Sequence, residues 1–337
     1  MEIVSITKRM FLILQIWILL NVSPYLVHCQ PSQLPLPPRV LGPETSGFDT
    51  KGGGPYTGVG DGRVLKYEGP NIGFTEFATT SPNRTKIRCD GTNDPISQQI
   101  CGRPLGLEFY TRTGDLYITD AFYGLLVVGQ SGGLARPVVT SFEGKPFAFL
   151  NSLAIDQERR MIYFIDSGTV FRFSNRVIIL RSGDATGRLF QYDIRRNQTT
   201  LLLSGLSGPA GIALSRDKSY LLVSELIAGR IRRFWLTGPK TNTSDVFASS
   251  NVDGNPDNIK RTVSGDFWVA VIRRNILPFP PFTSRGQRLN QLGQVIETRD
   301  FTAQYILSPA GISEVQEYKG KLYVGSLDQN FVGVYNV

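Results

Sequence analysis

Histidine is almost absent. The 337 residues hold one, His28, and it lies in an N-terminal segment expected to be cleaved. A mature chain without histidine excludes Ser-His-Asp and Cys-His catalysis, histidine dyads and histidine metal sites. Cysteine is scarce too, with three residues. Cys29 leaves with the same segment, and the remaining Cys89 and Cys101 are expected to close one loop as a disulfide in an oxidising compartment. No stretch keeps a 3.6-residue apolar period over four turns, so long helices are not expected. A basic stripe with interleaved aromatics is missing as well. The net charge is +8, but it is spread in small groups such as Arg230, Arg232 and Arg233. Nucleic acid is therefore not an expected partner, and weak association with acidic surfaces is the most that the charge supports.

The one long apolar run stands near the start. Lys8 and Arg9 precede MFLILQIWILL, and Pro24 and LVHC follow. That is a charged n-region, an apolar h-region and a cleavage site after Cys29, so residues 1–29 are read as a signal peptide. A membrane anchor would need about 20 apolar residues, and Gln15 and Asn21 interrupt the run. No stable anchor is expected after cleavage. Three sequons fit the secretory route, at Asn83, Asn197 and Asn242, each in a polar stretch where a surface loop is expected. The destination is the vacuole or the extracellular space. No retention signal stands at Val337, so residence in the endoplasmic reticulum is not expected.

What the chain has in quantity is glycine (35), proline (20) and 41% aliphatic and aromatic residues. That mixture favours many short strands joined by turns around a sizeable core. One phrase recurs: a strand, a polar turn, then a strand with a large central residue. It reads FYTRTGDLYITD (109–120), IDQERRMIYFID (155–166), LSRDKSYLLVSE (214–225), RTVSGDFWVAV (261–271) and EVQEYKGKLYVGS (314–326), with a first copy in FDTKGGGPYTGVGDG (48–62). Aligned on Tyr56, Tyr117, Tyr163, Leu222, Trp268 and Tyr323, the copies lie 46 to 61 residues apart. Antiparallel meanders of that length signal propeller blades. The expected fold is all-β: a six-bladed β-propeller over residues 42–337, with four-stranded antiparallel blades around a central channel and residues 30–41 as an N-terminal linker. The last strand, FVGVYNV, ends the sequence, so a strand from the N-terminal segment is expected to complete the sixth blade and remove a free edge.

In such a fold the starts of the innermost strands face the channel. Those stretches are PETSGFD, RPLGLEFY, FLNSLAID, GPAGIALS, NPDNIKRT and SPAGISEVQ. Charged and amide side chains there are not ordinary surface. Asp120, Asp166 and Glu225 instead end second strands at equivalent positions. They are expected to be structural, capping turns or pairing with Arg188 or Arg230.

The stretches GDGRVLKYEGPNIGFTEFA (60–78), CGRPLGLEF (101–109), LYITDAFYGLLVVG (116–129), DATGRLFQYD (184–193) and RRFWLTGPK (232–240) together resemble the plant strictosidine synthase-like proteins. These are related to the calcium-dependent paraoxonase and gluconolactonase propellers. The founding enzyme of the family is a Pictet–Spengler lyase that joins tryptamine to secologanin. Its glutamate base stands four residues before a second glutamate on the innermost strand of the last blade. Here the second glutamate is Glu317 and the catalytic position holds Ser313, which cannot act as a base. Its neighbour Glu314 would face away from the channel unless a bulge re-aims it. Phe149 and Asn151 replace the tryptophan and tyrosine of the family's pocket wall. The resemblance thus implies a small-molecule pocket bounded by Phe149, Asn151, Ser313 and Glu314.

The calcium-dependent relatives imply a second set. Matched by position, Glu44, Asn151, Asp257 and Asn258 would hold Ca2+, with Ala210 in place of one asparagine. Calcium takes six to eight oxygens, so this site is degenerate. Glu44 or Asp257 would then activate water. Three functions stay open: a hydrolase of small esters or lactones, a Pictet–Spengler lyase using Glu314, and a non-catalytic propeller that binds a ligand. Substrate and oligomeric state stay open too.

Overall fold

The computed structural model describes residues 32–249, 251–274 and 282–337. The expected signal peptide, with His28 and Cys29, lies outside the described residues. The chain forms six four-stranded sheets around an axis, the six-bladed propeller expected. The second blade holds Pro104–Tyr110, Asp115–Asp120, Gly124–Val128 and Arg136–Val139. The third holds Leu150–Asp156, Met161–Asp166, Gly187–Asp193 and Gln198–Leu206. The fourth holds Pro209–Leu214, Tyr220–Glu225, Arg230–Trp235 and Ser244–Ala248, and the fifth Asn255–Arg261, Phe267–Arg274, Phe282–Leu289 and Val295–Asp300. Five of the six residues on which the copies align, Tyr117, Tyr163, Leu222, Trp268 and Tyr323, sit in the second strand of their blade, whereas Tyr56 opens the innermost strand of the first blade's sheet.

The sixth blade pairs Glu314–Tyr318, Lys321–Gly325 and Phe331–Asn336 with Ser32–Pro35. The closing strand therefore falls inside residues 30–41, the stretch set aside as a linker. Pairing Ser32 with Val334 and Pro35 with Phe331 covers the edge that the last strand would leave open. Within this blade a two-residue loop, Lys319-Gly320, joins Tyr318 to Lys321. Both loop residues have positive φ, 48° and 74°, as a hairpin of matching twist requires.

The first blade is the irregular one. Its sheet is Tyr56–Gly58, Arg63–Tyr67 and Phe74–Thr79, with Gly133–Leu134 added in parallel at the outer edge. The expected innermost strand, PETSGFD, keeps a single bridge, Gly47 to Tyr56. Its polar groups are spent elsewhere: the Ser46 N–H and Thr45 hydroxyl are both committed to the Glu314 carboxylate.

Successive strand residues point to opposite faces, and both faces of a blade meet a neighbour. In the third blade, Leu153, Ile155, Ile162 and Phe164 pack toward the second blade. Ala154, Tyr163, Ile165 and Leu189 pack toward the fourth. The same division produces an apolar cluster at every inter-blade interface. A further cluster, formed by Leu105, Ala121, Phe149, Phe173 and Ile179, caps one end of the channel. Its Phe173 and Ile179 come from an insertion in the third blade, a 3-10 turn Phe173–Asn175 running into the helix Arg176–Ser182. Two other short helices, Lys86–Cys89 and Gln98–Cys101, are joined by the Cys89–Cys101 disulfide.

Candidate functional site

The first turn of each innermost strand decides what faces the axis. In four blades the pairing register slips by one residue there, between Pro104 and Gly106, Leu150 and Leu153, Pro209 and Gly211, and Pro256 and Ile259. A β-bulge suspends the alternation of faces, so consecutive side chains can turn the same way. Asn151-Ser152 and Asp257-Asn258 are such consecutive pairs, and all four are buried. Ala210 occupies the corresponding bulge of the fourth blade. There the chains approach closely: a Cβ on Gly211 would stand 2.6 Å from the Cα of Asn258. A Pro-x-Gly pattern marks two of these bulges, Pro104-Leu105-Gly106 and Pro209-Ala210-Gly211, whereas the bulges that carry Asn151 and Asp257 have no such local signal.

Glu44 is 3% exposed. The Asn258 amide donates to its Oε1 at 3.2 Å, and the Ser313 hydroxyl donates to its main-chain carbonyl at 2.7 Å. The Asn258 N–H donates to the Ser313 carbonyl at 3.1 Å. Glu44, Asn258 and Ser313 thus form one hydrogen-bonded group from the first, fifth and sixth blades. Ser313 acts in it as a strut for the Glu44 backbone. Burial pushes the Glu44 carboxyl up to about 7, against the pull of the Arg103 guanidinium and with added repulsion from Glu314. Burial also holds Asp257 well above the usual carboxylate range, with Glu44 and Glu314 as the repelling charges.

Glu314 is turned toward the first blade. It is 1% exposed, and its carboxylate accepts from the Thr45 hydroxyl and from the Ser46 N–H at 2.7 Å. Lys260 of the fifth blade lies 3.3 Å from it. Glu314 therefore faces the inner segments of the first and fifth blades, although its own strand carries no bulge. Its neighbour Ser313 precedes the strand, so no alternation links the two. Phe149, expected as a pocket wall, stacks edge-on against Phe173 at 5.2 Å and belongs to the apolar cap. Asn151 does not join the Glu44 group: its Oδ1 has no donor within the protein.

Sequence reasoning did not single out Arg103, Lys260, Thr45 and Ser46. All lie in the inner-strand starts quoted above, where charged side chains such as Arg103 and Lys260 are not expected to be ordinary surface; no signal in the sequence marks Thr45 and Ser46. Arg103 is 1% exposed, and its NH2 lies 3.9 Å from the second oxygen of Glu44. The cluster then balances Glu44, Asp257 and Glu314 against Arg103 and Lys260. At the far end of the channel a cavity of about 320 Å³ is bounded by Phe48, Glu108, Ile155, Lys260, Gln316 and Tyr318. Burial pushes Glu108 there to about 7, against the attraction of Lys260. A larger hollow of about 570 Å³ lies on the flank between the second and third blades, by Tyr192 and Asn197, remote from this chemistry.

The donor set can be tested for the calcium that the fold family implies. Glu44 Oε2 and Asn151 Oδ1 are buried oxygens without any donor, which suits a hard cation. The Ala210 side chain supplies no ligand atom, and among the described residues no three acidic, histidine or cysteine side chains converge at metal distance. The oxygens fit in chemical type, as a sparse set.

The three expected clasps are formed. Asp120 accepts the N–H groups of Arg103, Phe122 and Tyr123 at 2.8, 2.8 and 3.1 Å. Asp166 accepts from Phe149 N–H at 3.1 Å and pairs with Arg188. Glu225 accepts from Ser207 N–H at 2.8 Å and pairs with Arg230 and Arg232. Asn83, Asn197 and Asn242 are all exposed. Among the described residues no helix is long and apolar enough to cross a membrane.

Comparison with known proteins agrees with this architecture. The strictosidine synthase family profile matches residues 151–239. Strictosidine synthase-like protein 10 of Arabidopsis thaliana is 41% identical over 325 residues, covering 88% of this chain and 85% of its own. Strictosidine synthase of Catharanthus roseus is 36% identical over 295 residues, covering 87% and 82%. Among solved structures, a gluconolactonase of Xanthomonas campestris superposes with a TM-score of 0.63 at 15% identity, covering 91% of this chain and 89% of that one. A calcium-binding protein, regucalcin, of Agrobacterium tumefaciens gives 0.59 at 13% identity, covering 88% and 90%. At such identities these structures share the fold alone. With bulged inner strands, a buried carboxylate group at their starts and relatives near 40% identity along most of its length, the chain belongs to the strictosidine synthase family.

Proposed function

We propose that the protein is a secretory-pathway hydrolase of small esters or lactones, with its chemistry at Glu44 and Asp257. The observation that carries this reading is Glu44: a buried carboxyl with one oxygen free of donors and a proton affinity near 7. A general base works best when its pKa lies near the working pH. Asp257, which burial and the charges of Glu44 and Glu314 also favour in its neutral form, supplies the complementary acid. In the reaction, Glu44 takes a proton from water as the water oxygen bonds to the carbonyl carbon. The carbon–oxygen bond to the alkoxy group then breaks, and that oxygen takes the Asp257 proton. The products are a carboxylic acid and an alcohol, joined in one hydroxy acid when the substrate is a lactone. Proton return from Glu44 to Asp257 restores the site. Calcium would be held by Glu44, Asn151, Asp257 and Asn258 and would polarise the carbonyl oxygen; its charge would keep Asp257 ionised, so the acid role of Asp257 belongs to the metal-free site.

The Cys89–Cys101 disulfide and the three exposed sequons support passage through an oxidising, glycosylating compartment, with the vacuole or extracellular space as destination. The Catharanthus relative favours a second reading, an amine–aldehyde lyase. For that reaction Ser313 offers no base, and both oxygens of Glu314 are engaged by Thr45, Ser46 and Lys260. The test is turnover of an ester and lactone panel beside tryptamine with secologanin, with and without chelator. Hydrolysis of one panel member, with bound calcium raising it, is expected. Strictosidine formation lost in Glu314→Gln would replace this reading with the second, and inertness to both panels would leave a ligand-binding propeller.

A further inference from the structure

Arg103 opens the innermost strand of the second blade, and three interactions fix it. Its N–H is held by Asp120 at 2.8 Å, its NH1 donates to the Gly42 carbonyl at 2.9 Å, and its guanidinium lies against the Phe173 ring at 5.9 Å. Its other edge is open: Nε and NH2 have no acceptor, although the side chain is buried. The nearby Glu44 Oε2, at 3.9 Å from NH2, is beyond hydrogen-bond reach and itself lacks a donor. Asn151 Oδ1 lacks one too. A guanidinium carries five N–H groups, and buried donors left unmatched are costly. The site therefore holds two adjacent donors and two acceptors that the protein itself does not satisfy.

We propose that Arg103 is the recognition residue of this site, its Nε–NH2 edge taking the carboxylate of a small hydroxy acid whose hydroxyl groups donate to Glu44 and Asn151. The planar, two-pronged edge of arginine matches a carboxylate by two parallel hydrogen bonds, which an ammonium cannot do. Charges around the guanidinium come from several elements. Arg176 of the capping helix adds a second cation, while Glu44, Asp120 and Asp328 oppose it. Arg176 lies against the same Phe173 ring at 5.1 Å, so an anion reaching the cap meets two guanidinium groups. The proposal rests on the hydrolase reading, for which a hydroxy acid is the product of lactone opening, and it names the chemical class that the site holds.

The test is calorimetric titration of the full secreted chain near pH 6. The probes are glycolate and gluconate, with acetate lacking the hydroxyl, and ethylene glycol and glucitol lacking the carboxylate. Each hydroxy acid should bind roughly tenfold or more tighter than its uncharged or deoxy counterpart, the size expected for charge-assisted hydrogen bonds. Arg103→Lys keeps the charge and loses the fork, and should weaken the acids by a similar factor while leaving the polyols unchanged. Absence of acid binding, equal binding of acid and polyol, or an Arg103→Lys protein that binds acid as the wild type does would each overturn the proposal. The comparison of probes needs only the wild type, so a misfolded variant does not remove the test. Ester turnover is read separately. Acid binding without turnover would remove the hydrolase reading and keep the role of Arg103, whereas turnover with no preference for acids would do the reverse.

Discussion

Ser313 occupies the position where the family's lyase glutamate is expected, and its surroundings explain why a small hydroxyl suits it. The side chain is buried, its hydroxyl is used by the Glu44 carbonyl at 2.7 Å, and no base lies within its hydrogen bonds. Ser313→Ala should therefore cost about 1 to 2 kcal/mol, the value of a buried hydrogen bond whose acceptor is left unmet. Hydrolytic turnover should stay within a few-fold of the wild type. Chemical denaturation and steady-state rates check both parts, and a loss of turnover beyond a hundredfold in a folded variant would make Ser313 a nucleophile. At this scale the repeat marked the stretches that reach the channel, and the resemblance to the calcium-dependent relatives marked Glu44, Asp257 and Asn258 within them. The partners were not. The contact of Arg103 with Gly42 spans 61 residues, and nothing local to CGRPLGLEF indicates which carbonyl it meets.

The blade is the next scale, and its repeated acidic clasp explains how bulged strand starts are held. Asp120 takes three N–H groups around one strand start, so removing it leaves buried donors without acceptors. Asp120→Ala should destabilise the fold by about 3 kcal/mol, with Asp120→Asn milder because it keeps an acceptor oxygen. Urea midpoints at constant slope would measure the difference. An Ala variant as stable as the wild type would show that the loop finds water instead. Strands and their partners were readable from the polar turns and large central residues, because those features are local. The facing of individual side chains was not always so. Period-2 alternation gives Glu314 a face but not its partners, Thr45 and Ser46 across the blade interface. Alternation counts residues within a strand, and the chain before Glu314 is not yet strand.

For the whole molecule, ring closure is the structural claim with the widest consequence. Ser32–Pro35 supplies the outer strand of the sixth blade, and Leu36 and Val40 continue from it into the core between the sixth and first blades. A chain beginning at residue 42 would leave Phe331–Asn336 as an unpaired edge and lose that packing. It should unfold at lower temperature and associate in solution, which thermal scans and light scattering would register. A monomer of unchanged stability would show the strand to be dispensable. The propeller itself was legible from the recurrence of one phrase, because each blade buries both faces against neighbours and must repeat the same pattern. The capping insertion that carries Phe173 and Ile179 breaks the repeat, so its place over the channel and its contact with Phe149 could not be read from the pattern.

The central claim is that a carboxyl at Glu44, raised toward neutrality by burial, is the base for hydrolysis. The most direct measurement is the pH dependence of kcat/KM for whichever ester or lactone the chelator-treated protein turns over, in the wild type and in Glu44→Gln. The base works deprotonated, so the wild-type rate should rise with pH through an apparent value of about 7, where burial has moved Glu44. The Gln variant, near-isosteric and uncharged, should lose roughly a hundredfold or more and show no such rise. A Glu44→Gln protein that keeps the wild-type rate and profile would contradict the account.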